Sequence, residues 1–513
     1  MSIETRHGAA PTTPAEDAPD GDLRHVRVAI VGAGFSGLGL AIRLKQAGES
    51  GFVVIERRAD VGGTWFDNTY PGCACDVQSH LYSFSFAPNP DWTRTFSPQR
   101  EIQAYLRHCG AHFGVGPHIL WNEEVQDATW DEDLQRWRIT TSKREILAET
   151  LAMGNGPLSE PTTPNIPGFE RFAGKVFHSA RWDHDYDLTG KRVAVIGTGA
   201  SAIQFVPHIQ PQVAQLTLFQ RTPPWIIPRL DHAIPAWRRA LYHRAPITQR
   251  LARTKIYWQR EINVLGMVYR PAILQNAEKL VLQHLAAQVA DPALRAKLTP
   301  TYRMGCKRIL LSDDFYPAVS QPNVTVVTDG IREVREHSVV TQDGTEREVD
   351  VIICATGFHV TDMPAAHHVR GRDGQTLAEA WRDGPRAYLG TTVAGFPNLS
   401  ILIGPNTGLG HTSMVFMMES QFNYILDCLH YMERNHIQSV EPRPEAQRAF
   451  NDEMRRRSQG TVWASGCASW YLDANGYNST LWPGFTWEYR NRTRHFDPAA
   501  YEVTAPKVVA VRA

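Results

Sequence analysis

Apolar, β-branched blocks along this chain repeatedly run into glycine clusters. Residues 26–31 are mostly apolar, interrupted only by Arg27 and Ala29, a pattern that predicts a buried parallel strand. The strand enters Gly32-Ala33-Gly34-Phe35-Ser36-Gly37; a helix is expected over 38–47 and a second strand over 52–55, ending at Glu56. Arg192–Ile196 repeats the design, followed by Gly197-Thr198-Gly199-Ala200-Ser201-Ala202, a helix, and a strand at Gln215–Phe219. The two units lie about 165 residues apart. Residues 154–168 are dense in Pro and Gly and read as a linker, whereas 236–298 carry helical periodicity without strand alternation. Further strands are expected at 324–327, 349–354 and 399–403, the last leading through a glycine-rich turn into a helix over 413–433. After Ser458 the chain reads as aromatic-rich loop, and residues 1–24, short of large apolar side chains, as a disordered tail.

Composition narrows the class. The 513 residues carry 53 Lys+Arg against 53 Asp+Glu, so the basic excess of a nucleic-acid binder is missing. With 42% hydrophobic and 21% charged residues, most of the chain is expected to fold. The longest uncharged apolar stretch, 28–42, holds four glycines and falls short of a membrane span, and no secretory signal opens the chain. Seven cysteines without a regular framework predict reduced thiols and a cytoplasmic protein.

The two glycine turns differ where it matters chemically. In the first, Gly32 permits the tight turn, Gly34 lets backbone approach a pyrophosphate, and Gly37 lets helix and strand pack closely. Glu56, 24 residues after Gly32, offers a carboxylate to ribose hydroxyls and repels a 2′-phosphate, which suits FAD or NAD. At the same offset from Gly197 stands Arg221, with Thr222 beside it; a guanidinium there pairs with a 2′-phosphate and favours NADP. Either turn alone fits an empty α/β turn as well. Together they predict an α/β fold with two Rossmann-like dinucleotide-binding domains, one for FAD and one for NADP, and a helical insertion. The expected boundaries are 1–25 tail, 26–157 and 362–513 for FAD, 158–230 and 311–361 for NADP, and 231–310 for the insertion.

The segment Phe172-Ala173-Gly174-Lys175-Val176-Phe177-His178-Ser179-Ala180-Arg181-Trp182-Asp183 matches F-x-G-x-x-x-H-x-x-x-W-(P/D) at every specified position. On this segment the chain resembles the type I Baeyer–Villiger monooxygenases of the flavin-containing monooxygenase superfamily. Gly62-Gly63-Thr64-Trp65, Tyr70-Pro71-Gly72 with Asp76, Cys306-Lys307-Arg308 and Ala355-Thr356-Gly357-Phe358 resemble further family segments. Gly404–His411 and Ser469-Trp470-Tyr471 are similar to the branch acting on 4-hydroxyacetophenone. Met153-Gly154-Asn155-Gly156 and Cys73-Ala74-Cys75 depart from the usual family strings.

The resemblance implies that NADPH reduces FAD, O2 adds at flavin C4a, and the peroxide attacks a ketone to give an ester or lactone. It implies Arg308 as the cation that holds the anionic oxygen species, positioned by Asp76 through a charge-assisted pair. It further implies an FAD site of Gly32, Gly34, Ser36, Gly37, Glu56, Thr64, Trp65, Asp76, Tyr82, Val125 and Met414. The NADP site would comprise Gly197, Thr198, Gly199, Ser201, Arg221, Thr222, Lys307, Arg308 and Trp470, with Trp470 on a lid. His178 is read as a structural hydrogen bond that couples domain movement to turnover, not as a base. Aromatic, steroid, cyclic and aliphatic ketones all fit.

Competing readings remain at this point. A flavin-dependent N- or S-oxygenase and a catalytically idle flavin-binding protein both share the two turns. Cys73-x-Cys75 suggests a disulfide reductase, but one residue is a poor spacer for that chemistry. His184 among Asp183, Asp185 and Asp187 offers metal ligands, against a solvated acidic turn. Arg238, Arg239, Arg244, Arg250, Arg253, Lys255 and Arg260, interleaved with Trp237, Leu241, Leu251 and Trp258, read as a lid helix with a solvated basic face; a membrane-surface helix is the alternative.

Overall fold

Two sheets, one mixed and one parallel, each built round one of the glycine turns, organise the chain in a computed structural model that describes residues 23–467 and 469–505. The expected disordered tail therefore lies outside the described residues except at its end, where a correction applies. The first strand begins at Arg24, because Arg24 and His25 already pair with Ile146 and Leu147.

In the larger, eight-stranded sheet, Arg24–Val31 lies between Phe52–Glu56 and Glu145–Met153, parallel to both. Val28, Ala29 and Ile30 are fully buried, as a β-branched run covered on both faces requires. The helix Phe35–Gln46 covers one face with Leu38, Leu40, Ala41, Ile42 and Leu44. It crosses the long helix Met414–Arg434 at Gly39, where a Cβ would stand 2.6 Å from the Phe422 ring. Sequence periodicity did not place Val125–Asp131 and Arg136–Thr141, which form an antiparallel meander with Glu145–Met153. Arg136–Thr141 does alternate half-buried and buried positions, but over too short a run to stand out.

The second sheet is wholly parallel, in the order Val324–Val327, Gln215–Phe219, Arg192–Ile196, Val351–Cys354, Lys175–His178. The family-like segment around His178 thus supplies its edge strand. The expected helical insertion is present as Ala236–Arg244, Pro246–Glu261, Leu274–Gln288 and Pro292–Leu298. Beyond Ser458 the chain is more regular than expected: Thr486–Arg492 is helical around buried Tyr489, and Tyr501–Thr504 pairs with Ser439–Pro442.

Two chain crossings join the halves side by side. The Thr162 amide donates to the Gly357 carbonyl at 2.9 Å and the His359 amide to the Glu160 carbonyl at 3.0 Å. Across the same seam Gln204, on the helix Ala202–Ile209, accepts from the Tyr70 hydroxyl at 3.0 Å and donates to the Ala74 carbonyl at 3.0 Å. No helix among the described residues is long and apolar enough to cross a membrane.

Candidate active site

One cavity of about 1960 Å³ opens between the two sheets and is lined by both glycine turns. Gly32 leaves the first strand at φ +91°, a backbone state in which side chains are strained, and its amide donates to the Ile55 carbonyl at 2.8 Å. A Cβ at Gly37 would lie 1.8 Å from the Gly32 carbonyl oxygen, so this glycine serves packing and does not line the cavity. Gly34 starts the helix Phe35–Gln46 with no side-chain cap and no acid in its first turn, leaving amides and a positive helix end toward the cavity.

Glu56 is buried at the end of the second strand; its two oxygens accept from the Ala33 amide at 2.6 Å and the Arg58 amide at 2.8 Å. Burial raises its pKa, and those two amide bonds pull it back. Ser36 donates to the Gly154 carbonyl at 3.0 Å, tying the turn to the first crossing. Thr64, Trp65, Tyr82, Val125 and Met414 line the same end of the cavity. Trp65 and Tyr82 hold each other, indole Nε1 donating to the phenol oxygen at 3.0 Å.

At the second turn Gly197 has φ +105°, and a Cβ there would meet the Ala355 carbonyl at 2.5 Å. A Cβ on Gly199 would meet nothing within 4 Å and would project into open space, as a cradle for a phosphate demands. Thr198 donates to the Thr222 carbonyl at 3.4 Å, and Ser201 starts the helix Ala202–Ile209. Arg221, Thr222 and Lys307 line this end. Burial, and then the neighbouring Arg221 charge, lower the Lys307 ammonium pKa, so the two cations feel each other, and neither has a carboxylate within ion-pair distance among the described residues.

Between the two ends stands the pair expected from sequence. Arg308 donates from Nε at 2.8 Å and Nη2 at 2.6 Å, both to Asp76 Oδ2, and both side chains face the cavity. Their side chains are 33% and 25% exposed. Burial alone would raise the Asp76 carboxyl, but Arg308 and then Arg260 hold it below its ordinary value. Asp76 in turn raises the Arg308 guanidinium further, against its own burial.

Three participants escaped the sequence reading. Arg260 donates to the Asp76 carbonyl at 2.9 Å and to Gln78 Oε1 at 2.6 Å. Arg253 donates to the His80 and Ser83 carbonyls at 2.7 and 2.9 Å. The basic stretch is therefore not one solvated face: part of it staples a helix to the Asp76 loop. Buried Tyr471, whose phenol burial pushes up to about 12, lies beside Arg308.

The expectation of seven reduced thiols is also corrected. Cys306 and Cys467 form a disulfide across a Cα–Cα distance of 6.3 Å, within the range such a bond spans. Cys73, Cys75, Cys109, Cys354 and Cys428 stay free, and burial pushes the Cys73 thiol up to about 12, far from a reductase nucleophile. Asp183 is paired with Lys175 at 2.5 Å, and His184 meets Thr69 Oγ1 at 2.8 Å. Trp470 is 44% exposed at the cavity mouth, its ring edge-on to Tyr471.

His178 closes the edge strand beside the second crossing. Its Nδ1 accepts from the Ala180 amide at 3.1 Å, its ring lies edge-on to Phe358, and its Nε2 is buried in the cavity wall. Burial pushes the imidazole down to about 4. The unfolded chain, with an ordinary histidine near 6.5, then binds a proton that the folded chain does not. Stability from this group is complete above pH 6.5 and shrinks as the pH falls toward 4, by less than about 3 kcal/mol because part of the ring sees solvent. Thermal melts over that window should show a shallower acid loss for His178→Gln than for wild type; equal slopes would refute a buried neutral ring.

Comparisons with known proteins bear on the family and the fold. A family model described as flavin-binding monooxygenase-like matches residues 25–366. The chain is 54% identical over 491 residues to a Baeyer–Villiger monooxygenase of Streptomyces coelicolor, covering 95% of each chain. It is 51% identical over 491 residues to a Baeyer–Villiger monooxygenase of Pseudomonas aeruginosa, covering 95% of this chain and 93% of that one. Among solved structures, OTEMO in complex with FAD and NADP is similar with a TM-score of 0.84 at 27% identity, over 93% of this chain and 99% of that one.

Proposed function

The chain belongs to the flavin-binding monooxygenase-like family, and within it to the Baeyer–Villiger monooxygenases; on that premise we propose how its residues divide the work. It is an FAD-dependent enzyme that uses NADPH and O2 to insert one oxygen beside a ketone carbonyl, giving an ester or lactone. The N- or S-oxygenase alternative is set aside, since relatives matching nearly the whole chain carry the Baeyer–Villiger name. Bound FAD supplies the ring that activates oxygen, and bound NADPH supplies the hydride.

The residues present fit both groups. The Gly34 amide and the uncapped helix start at Phe35 would meet the FAD pyrophosphate, while Glu56 would accept from ribose hydroxyls through lone pairs its two amide bonds leave over. Gly199 leaves room for the NADPH pyrophosphate, and the converging Arg221 and Lys307 take the 2′-phosphate, whose charge relieves their mutual repulsion. We assign FAD binding to 26–157 and 362–513, NADP binding to 158–230 and 311–361, and the insertion to 231–310. We place the enzyme in the cytoplasm, where NADPH is at hand.

The observation that carries the catalytic assignment is the Asp76–Arg308 pair, half-buried in the wall shared by the two nucleotide ends. A guanidinium keeps its protons at working pH, so it holds negative charge developing on oxygen without protonating it. Both bonds to Asp76 use Nε and Nη2, which leaves Nη1 uncommitted to that carboxylate and available to a reacting group. Asp76 fixes the guanidinium plane, Arg260 fixes the Asp76 backbone, and Trp470 screens the mouth from water.

Purified enzyme loaded with FAD, assayed against a panel of ketones for NADPH consumption together with product analysis, tests the reading; NADPH loss without any ester from any ketone class would overturn it. Arg221→Ala should raise KM for NADPH by about 10- to 100-fold while barely moving that for NADH. Equal effects on the two would mean that the phosphate is read elsewhere.

A further inference from the structure

The helix Pro246–Glu261 is inside out. A surface helix ordinarily turns its apolar stripe to the core and its polar side chains to water. Here the inward stripe is largely polar, with Ile256 and the Tyr257 ring its apolar members: Gln249 donates to the Asn89 carbonyl at 2.6 Å, Arg253 and Arg260 reach the loop from Asp76 to Ser83, and the Tyr257 hydroxyl meets Thr486 Oγ1 at 3.1 Å. The outward stripe carries Ile247, Leu251 and Trp258, 59%, 62% and 52% exposed, and Ile262 just past its end is 60% exposed. On the preceding helix, Ala236–Arg244, Trp237 is 67% exposed.

Charge on this hairpin has one sign. Arg238, Arg244, Arg250 and Lys255 are exposed, and none has a carboxylate within ion-pair distance among the described residues. Between residues 236 and 262 the lone acid is Glu261, which is buried and holds the Thr486 amide and hydroxyl. Asp91, from the Asp76-side loop, meets the hairpin through His243 at 2.8 Å. With the whole chain balanced at 53 of each sign, this patch is a local concentration of cations.

We infer that this hairpin is a peripheral membrane-docking surface whose partner is a bilayer containing anionic phospholipid. Exposed Ile, Leu and Trp enter the headgroup–acyl boundary, where an indole is well placed, while Arg and Lys on the same face reach lipid phosphates. A second copy of the chain is disfavoured as the occupant, because a two-fold contact would set this cationic face against itself.

The test uses the full-length, FAD-loaded enzyme and flotation with phosphatidylcholine vesicles with or without phosphatidylglycerol. At low ionic strength the enzyme should float with the anionic vesicles and stay behind with the neutral ones. The Leu251→Glu/Trp258→Glu variant should lose at least about tenfold of the bound fraction with its flavin absorbance unchanged. Should that variant lose its flavin, Arg250→Ser/Lys255→Ser, which trims only exposed cations, must lose the preference for anionic vesicles. Wild type left unbound at low salt, or variants that float as well as wild type, would overturn the inference. A wild-type dimer that the substitutions dissolve would overturn it too and assign the face to self-association.

Discussion

Arg308→Ala is expected to go on oxidising NADPH while ester formation falls by about 10²- to 10³-fold, the loss of roughly 3–4 kcal/mol of transition-state stabilisation that follows removal of a fixed donor. The two activities separate because the nucleotide ends of the cavity are built from other residues, Arg221 and Lys307 at one and Glu56 at the other. Asp76 is left half-buried without its first partner, and burial then pushes its carboxyl upward against Arg260 alone. Electrons taken from NADPH should emerge as hydrogen peroxide. Arg308→Lys should rescue little, since one ammonium cannot reproduce two N–H bonds to Asp76 Oδ2 and still present a third donor. Stopped-flow reduction, ester quantification and a peroxide assay together read this out. Ester at near wild-type rate from Arg308→Ala would remove the catalytic assignment.

Gly37→Val should yield a protein that cannot retain FAD. Its Cβ would stand 1.8 Å from the Gly32 carbonyl oxygen and 3.2 Å from Ile30 Cγ2, and the nearer atom is backbone of the turn itself. Relief requires moving the turn away from the first strand, whose pairing with Phe52–Glu56 also positions Glu56. The expected cost exceeds the roughly 1–3 kcal/mol of ordinary overpacking. Gly48→Ala is the contrast: nothing lies within 4 Å of its Cβ, so only its φ of +85° penalises the change, and flavin should be kept. Absorbance near the flavin maximum and a thermal melt decide; a yellow Gly37→Val protein with wild-type melting would show that the turn tolerates a side chain.

What the sequence revealed, and what it hid, follows from how each feature constrains residue type. Gly32 and Gly197 are required by their own left-handed backbone and Gly37 by the Gly32 carbonyl five residues away, so they leave a local signature. Glu56 and Arg221 were readable because a strand of set length carries each to the same place relative to its turn. Arg260 was hidden in a run of arginines, since helical spacing tells which residues share a face but not which face turns inward. The Cys306–Cys467 bond joins positions 161 apart, and nothing near either cysteine announces the other. Tyr471 shares that difficulty: its meeting with Arg308 depends on a loop path that no periodicity encodes.

That sulfur bond has a practical consequence. It ties a residue two positions before Arg308 to one three positions before Trp470, so no more than about 10 Å of chain separates the tryptophan from a fixed anchor. Dithiothreitol in a storage buffer would cut the anchor and lengthen that tether. Batches of one polypeptide handled with and without such an additive should therefore differ in how tightly the cavity shuts, and turnover measured on them should be compared only after thiol titration.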